Sequence, residues 1–349
     1  MSERPNDPKP SSPERRGFLK MTTAAVAGLF ASRILPASAP PVRAQSTAAT
    51  VTATLPKRKL GRIGYDVGIF SLGGQAAIEK PDNEEVAVAI VERALDLGVN
   101  YIDTAARYGG GVSQRYIGKV MKRRRKEVFL ATKSHDRTRD GSWSLLENSL
   151  RVLETDHLDL WQLHNVARME EVDRIFAPGG AIEAFVEARE QKVVRHLGVT
   201  GHADPHVLAE AIRRFPFDTI LLAVNAADKH YLSFIDHLLP LAVEKQMGII
   251  GMKIPARGRI LAPAAPSGET ARPDGGISPG PGVTMREAMH YVLSLPVSTI
   301  IVGCDSVAQL EENVQLAREF EPLDEEHMAA LVDRTQPIHK QALFFRNWG

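Results

Sequence analysis

Four side chains in this sequence have the types and spacing to place a proton on an oxygen: Asp103, Tyr108, Lys133 and His164. Tyrosine has a reference pKa of about 10, so at neutral pH it donates slowly unless a nearby cation stabilises the phenolate it leaves behind. Lys133 can be that cation. A desolvated ammonium in turn needs a counter-charge, which Asp103 can supply. His164 can donate a hydrogen bond to the same substrate oxygen and fix its position. A carbonyl oxygen that gains negative charge while its carbon receives a hydride needs such a donor pair, and general acid catalysis of this kind contributes about 10²–10⁴-fold. Taken singly, each residue has an ordinary explanation: Asp103 as a helix cap, Tyr108 as packing, Lys133 as a solvated charge, His164 as a core histidine. Chemistry is argued by all four falling at one end of one kind of fold.

That fold is written in the alternation of short apolar runs with helical-period segments from residue 56 onward. Eight strands are predicted, at 69–72, 100–102, 128–132, 158–163, 196–199, 219–224, 248–252 and 299–302. Amphipathic stretches follow them, most clearly at 84–97, 143–153, 181–191 and 307–318. Eight such units predict an α/β fold, a closed (β/α)8 TIM barrel rather than an open sheet, with reacting groups just beyond the carboxyl ends of its strands. Asp103 and Tyr108 follow the second strand, Lys133 ends the third and His164 ends the fourth. Before the barrel, Arg58-Lys59-Leu60-Gly61 and Tyr65-Asp66-Val67 alternate around Gly61 and Gly64, which predicts an N-terminal β-hairpin cap. Asp204-Pro205 reads as an N-cap followed by proline at the first helical position. Residues 262–284, dense in Pro, Gly and Ala, read as a long loop after strand seven on the active-site face. No Gly-x-Gly-x-x-Gly follows the first strand, and no Gly-Lys-Ser/Thr follows Gly109-Gly110-Gly111, so neither a Rossmann nor a P-loop reading stands.

The sequence resembles the aldo-keto reductase family over nearly all of residues 57–335. The matching stretches are Arg58-Lys-Leu-Gly-Arg-Ile-Gly-Tyr, Asn100-Tyr-Ile-Asp-Thr-Ala-Ala-Arg-Tyr-Gly, Val128-Phe-Leu-Ala-Thr-Lys, Asp159-Leu-Trp-Gln-Leu-His and Gln309-Leu-Glu-Glu-Asn. The resemblance implies a barrel that reduces aldehydes and ketones with a nicotinamide cofactor, usually NADPH. It also implies Tyr108 as acid, Lys133 and Asp103 as its tuning pair and His164 as the orienting donor. In the family the last βα unit holds the adenosine phosphate, which points here to Gly303, Asp305, Ser306, Gln309, Glu312 and Asn313. The loop from Lys253 through Arg257 to Gly258 is expected to wrap the pyrophosphate, and Asp103, Thr200 and Asn225 to meet the nicotinamide end. The N-terminus of the helix after Ser306, in that last βα unit, would offer free amides to an anion whatever its side chains. The pattern departs from the family at Leu221, Val224 and Asn225, where relatives show Gln and then Tyr-Asn, and at Thr200-Gly201, where many show Ser-Asn. Asp305 and Gln309 also stand where basic residues are usual. An acid repels a ribose 2′-phosphate but accepts a bond from a bare 2′-hydroxyl, so NADH is the alternative cofactor. The altered nicotinamide contacts motivate an alternative function as well, a nicotinamide-binding redox sensor or partner subunit with little turnover.

Composition narrows the rest. Among 349 residues, Lys+Arg 43 against Asp+Glu 42 leaves a net charge of +1, and 44% of residues are hydrophobic, which excludes a disordered chain and a molecule-wide nucleic-acid surface. The single cysteine, Cys304, excludes an internal disulfide framework and Cys-rich metal sites. The basic run 122–126 sits at a helix end, where cations are favoured by the macrodipole. His202 and His206 flank a cap residue without a complete ligand set, so no metal is expected. Trp143 and Trp161 read as packing residues.

The apolar segment 21–30 is about ten residues, whereas a bilayer span needs roughly 20, so no stable membrane anchor is expected. Residues 1–45 read as an export segment: Arg15-Arg16-Gly17-Phe18-Leu19-Lys20, an Ala/Thr/Gly stretch, and Val42-Arg43-Ala44 as a small-x-small cleavage site. The order resembles the bacterial twin-arginine signal, with Glu14 where Ser or Thr is commoner. It implies the twin-arginine export machinery as a partner and a periplasmic or otherwise exported protein that folds first in the cytoplasm. The expected organisation is then a signal at 1–45, a linker at 46–56, the barrel at 57–335 and a tail at 336–349 near the barrel mouth. Trp348 in that tail could close over the mouth, as tails of the family often shape substrate choice.

Overall fold

Apolar runs of Val, Ile and Leu form strands here because both faces of each are covered, one by the barrel interior and one by helices. A computed structural model of the chain describes residues 54–262 and 281–347; the expected export segment, most of the loop 262–284 and Trp348 lie outside the described residues. The strands are β1 Lys57–Lys59, β2 Asp66–Gly68, β3 Phe70–Gly73, β4 Tyr101–Asp103, β5 Phe129–Ser134, β6 Leu158–Leu163, β7 Val194–Gly201, β8 Thr219–Ala223, β9 Gly248–Met252 and β10 Thr299–Val302. The helices are α1 Glu84–Asp96, α2 Val112–Arg124, α3 Arg139–Val152, α4 Met169–Phe176, α5 Ala181–Glu190, α6 Pro205–Arg214, α7 Phe234–His237, α8 Leu239–Glu244, α9 Met285–Leu293, α10 Val307–Arg318, α11 Glu325–Thr335 and α12 His339–Ala342.

Strands β3 to β10 pair in parallel in chain order, and β10 returns to β3 to close the barrel, with Ile300 opposite Phe70. All eight predicted strands are present, three with the predicted bounds and the others with ends moved by one or two residues. The shift matters at the site, because β4 reaches Asp103 and β5 runs past Lys133 to Ser134. Both residues are therefore held in the sheet rather than on a loop beyond it.

Strands β1 and β2 form the expected antiparallel hairpin. Its turn lies against the start of β9, where a Cβ on Gly61 (φ +51°) would run into the backbone of Met247 and Gly248. Leu60 is fully buried there, beside Gly248. The hairpin thus plugs the amino-terminal end of the barrel, opposite the site.

Alternation along β6 settles which side chains point inward. Trp161 stacks on Phe185 of α5, with ring centroids 3.8 Å apart, so it faces the helices. Leu160 and Gln162 then face the interior. Lys133 is opposite Gln162, and Gln162 opposite Gly198, which carries this inner row across three strands. Glycine at 198 leaves the room these side chains use, since a Cβ there would run into Thr219 Oγ1 and lie 3.0 Å from Gln162 Cγ.

Helix ends near the mouth are capped locally. Asp204 accepts from His206 N at 2.8 Å with Pro205 first in α6, and Ser306 accepts from Gln309 N at 3.1 Å at the start of α10. The basic run closing α2 is tied up in the protein: Arg123 pairs with Glu92, Arg124 with Asp96 and Glu127, and Arg125 with Asp159.

Candidate active site

Tyr108 begins a short turn after β4 whose Gly109 and Gly110 have φ of +57° and +62°, a left-handed geometry that glycine adopts without steric cost. The turn brings the phenol over the carboxyl ends of β5 and β6. Lys133 Nζ lies 3.3 Å from Tyr108 Oη, bonds Asp103 Oδ1, and donates to the Thr104 carbonyl at 2.8 Å. His164 follows the last residue of β6, and its ring stands edge-on to Tyr108 with centroids 5.6 Å apart. The four predicted residues therefore meet at one place, and Asp103 and Lys133 are both buried.

Reading the sequence missed two contributors. Gln162 Nε2 donates to Asp103 Oδ2 at 2.9 Å, so each carboxylate oxygen has its own donor, while Gln162 Oε1 is buried with no hydrogen-bond partner. Alternation along β6 puts Gln162 on the inner face, two residues before His164 just past the strand's end, but says nothing of what it bonds. The other is Lys80, which pairs with Asp305 at 2.7 Å on the exposed rim.

Burial dominates the electrostatics. It works against the Lys133 ammonium, but Asp103 and the Tyr108 oxygen outweigh it and hold the lysine above its usual range. Burial also raises the Tyr108 phenol above its ordinary value, with Lys133 pulling the other way and Asp103 adding to the rise. Desolvation is the larger effect on Tyr108, and the Lys133–Asp103 pair acts on top of it, Lys133 easing the proton off and Asp103 holding it on. His164 is driven well below the usual imidazole range by burial, and then by the charges of Lys133, His202, Arg107 and Arg137. It is neutral, and its buried Nδ1 meets no partner among the described residues.

The expected cofactor residues divide. Lys253, beyond β9, is lowered to about 8 by burial together with the charges of Arg257 and Lys133. The cations that add to the effect of burial on Lys253 mark a place of surplus positive potential, which fits the pyrophosphate of a dinucleotide. Lys253, Arg257 and Gly258 share a turn with φ of +64°, +55° and +81°. Ser306 opens α10 close to Gly303, as expected of a phosphate-facing helix start. Others are spent within the fold. Thr200 Oγ1 accepts from Asn165 N at 2.9 Å, and Asn225 bridges the Lys253 carbonyl (3.3 Å) and Ala227 N (2.9 Å). Gln309 Oε1 accepts from Asp305 N at 2.6 Å, and Asn313, buried, donates to Cys304 Sγ at 3.5 Å. Glu312 is exposed on α10. Among the described residues no cluster of three or more His, Cys, Asp and Glu side chains gathers as a metal site, and His206 turns to Asp204 at 2.9 Å.

A closed parallel barrel with a phenol, an ammonium, a carboxylate and a neutral imidazole at its mouth defines an enzyme equipped to protonate an oxygen beside an electron-accepting carbon. Comparison with known proteins gives that class its family. The aldo/keto reductase family model matches residues 66–265, more than half of the chain. The uncharacterized oxidoreductase YqkF of Bacillus subtilis is 29% identical over 315 residues, covering 81% of this chain and 98% of its own. L-galactose dehydrogenase of Arabidopsis thaliana is 26% identical over 307 residues, covering 80% and 94%. Among solved structures, the holo form of aldo-keto reductase AKR11C1 from Bacillus halodurans superposes with a TM-score of 0.66 at 26% identity, covering 80% of this chain and 96% of its own. The chain belongs to the aldo/keto reductase family and is an NAD(P)H-dependent oxidoreductase.

Proposed function

We propose that the protein reduces a small aldehyde or ketone with NADPH, Tyr108 being the general acid. The observation that supports this reading is the 3.3 Å approach of Lys133 Nζ to Tyr108 Oη, with Asp103 and Gln162 ordered behind it. When bound, the reduced nicotinamide supplies the hydride that the carbonyl carbon accepts. His164 and the Tyr108 hydroxyl hold the carbonyl oxygen. As the C=O π bond opens, Tyr108 gives that oxygen its proton and becomes a phenolate, which the Lys133 ammonium stabilises through charge and hydrogen bond. Asp103 keeps Lys133 protonated throughout, and solvent returns the proton to Tyr108. Lys253, Arg257 and the start of α10 would hold the dinucleotide's phosphates.

NADPH is favoured over NADH because Lys80 offsets the charge of Asp305 at the rim, so the acid does not face a 2′-phosphate alone. Steady-state kinetics on a panel of aldehydes, ketones and quinones tests the proposal. Tyr108→Phe should lower kcat/KM by about 10²–10⁴-fold while NADPH still binds. The commitment of Thr200 and Asn225 to backbone groups favours the second reading, a nicotinamide-binding sensor or partner subunit; tight NADPH binding without turnover of any panel member would select it.

We further propose that the protein is exported after folding, with its cofactor bound. The motif at residues 15–20 supports this, and so does a lone cysteine that is buried in the described residues. Arg15→Lys with Arg16→Lys should retain the protein in the cytoplasm on cell fractionation.

A further inference from the structure

The backbone of His164 is held on both sides by β5 and the loop that follows it. Its N–H donates to the Ser134 carbonyl at 2.8 Å, where β5 ends. Its carbonyl accepts from Arg137 Nη2 at 2.8 Å, and the same nitrogen reaches the Asn165 carbonyl at 3.1 Å. An extended strand turns successive carbonyls to opposite sides. Asn165, just past β6, has a φ of +51°, and the carbonyls of residues 164 and 165 converge on one nitrogen instead. Asparagine takes this left-handed geometry more readily than most residues, but at a cost that surrounding contacts must offset. The bond from Asn165 N to Thr200 Oγ1 at 2.9 Å is one such contact, and Arg137 supplies another.

Arg137 is itself firmly built in. Its backbone carbonyl accepts from Ala181 N at 2.9 Å, at the start of α5. Beside it, Asp136 Oδ1 closes the loop by accepting from Thr138 N at 2.7 Å and Thr138 Oγ1 at 2.6 Å. Glu171 Oε1 accepts from Arg137 Nε at 3.2 Å and Nη2 at 3.0 Å, while Glu171 Oε2 takes Ala167 N at 2.8 Å and Arg168 N at 3.2 Å, where α4 begins. A mostly buried ion pair of this kind contributes little net stability compared with apolar side chains of similar size, since desolvation of both charges offsets their attraction. What the planar guanidinium supplies that an apolar side chain lacks is direction, here toward two carbonyls and a carboxylate at once.

We propose that Arg137 is a positioning residue for His164: by gripping the carbonyls of His164 and Asn165 from the loop after β5, it fixes the imidazole relative to Lys133, which β5 itself carries, so that both serve the same substrate oxygen as Tyr108. The catalytic consequence rests on the reductase reading; the grip on the His164 backbone does not.

The test compares Arg137→Lys and the double variant Arg137→Met/Glu171→Gln in the full-length protein. Lysine keeps the charge but not the fork. The double variant carries neither charge and leaves a side-chain carbonyl to cap α4, so it should melt close to wild type. In both, kcat for the carbonyl compound reduced fastest should fall by about 10–10²-fold, the loss expected from a small misplacement of a reacting group. KM should change less, because the His164 bond tightens only as negative charge gathers on oxygen, and NADPH affinity should be unchanged. The ring ¹H–¹⁵N signals of His164, assigned by their absence in His164→Gln, should shift or broaden in both variants. Wild-type kcat with wild-type ring signals overturns the proposal and leaves Arg137 as an anchor for α4 alone. Should the double variant melt far below wild type, Arg137→Lys decides on the same two readouts. If the wild type reduces no carbonyl compound, the reductase reading fails, and the ring signals still decide whether Arg137 positions His164.

Discussion

Gln162 Nε2 takes the carboxylate oxygen of Asp103 that Lys133 leaves open, at 2.9 Å, inside a barrel where neither side chain meets solvent. Asp103 is thereby held from two sides, by a charge and by an amide. Its orientation toward Lys133 does not depend on Lys133 alone.

Gln162→Met keeps the volume and removes that donor. Losing a hydrogen bond to a charged group costs about 1.5–3 kcal/mol, so kcat should fall by roughly tenfold or more. The acid limb of the rate should move to higher pH, because Asp103 takes up a proton more easily. Gln162→Glu should be worse, since two carboxylates in that space would share one proton. A Met variant with wild-type kcat and pH profile removes Gln162 from the machinery.

Between neutral and alkaline pH the rate of reduction should be flat. Tyr108 must carry its proton to act, and burial raises its pKa, so the active form persists until the pH exceeds the usual tyrosine value of about 10. His164, held neutral by burial and surrounding cations, contributes no limb at its ordinary value of about 6.5. A kcat profile with an inflection near that value would contradict the assignment of His164 as a neutral donor.

Cofactor affinity should depend on pH through Lys253. In the free protein it loses its proton at about 8, and a bound pyrophosphate would favour the charged form. NADPH should therefore bind more weakly as pH rises above that value, by up to about tenfold per unit, and binding should take up a proton. Calorimetry in buffers of different ionisation enthalpy measures that uptake. Lys253→Met should weaken binding and flatten its pH dependence.

The choice between NADPH and NADH should turn on the rim pair. Lys80→Glu would leave Asp305 beside a second acid and should lower the preference for NADPH by about tenfold, an exchange of attraction for repulsion at an exposed site. Asp305→Asn should raise it. Comparative thermal stabilisation by the two cofactors gives the readout.

Much of this architecture was legible in the sequence for a physical reason. Strands covered on both faces are almost uniformly apolar, so 219–224 and 299–302 stood out, and Asp103, Tyr108, Lys133 and His164 stood out by following such runs. Gln162 did not, because a glutamine inside an apolar strand gives no sign of what it bonds until the register places it next to Lys133. Arg346 and Asp228 pair across 118 residues and carry no local pattern linking them. Gln309 and Asn313 show the converse: they were expected to face the cofactor, yet their amides are taken by the adjoining loop, at Asp305 N and Cys304 Sγ. Helical periodicity gives the side of a helix, not which partner satisfies a polar group on it.

Ser71 on β3 and Thr299 on β10 share a hydrogen bond of 2.7 Å across 228 residues, at the seam where the barrel shuts. Until the last strand leaves the ribosome, β3 and β9 remain open edges able to pair with any passing strand. At about 5–20 residues per second, translation leaves those edges unprotected for many seconds. The nascent chain should accordingly lean on chaperones that shield strand edges, and truncations ending before residue 299 should aggregate rather than yield smaller folded pieces.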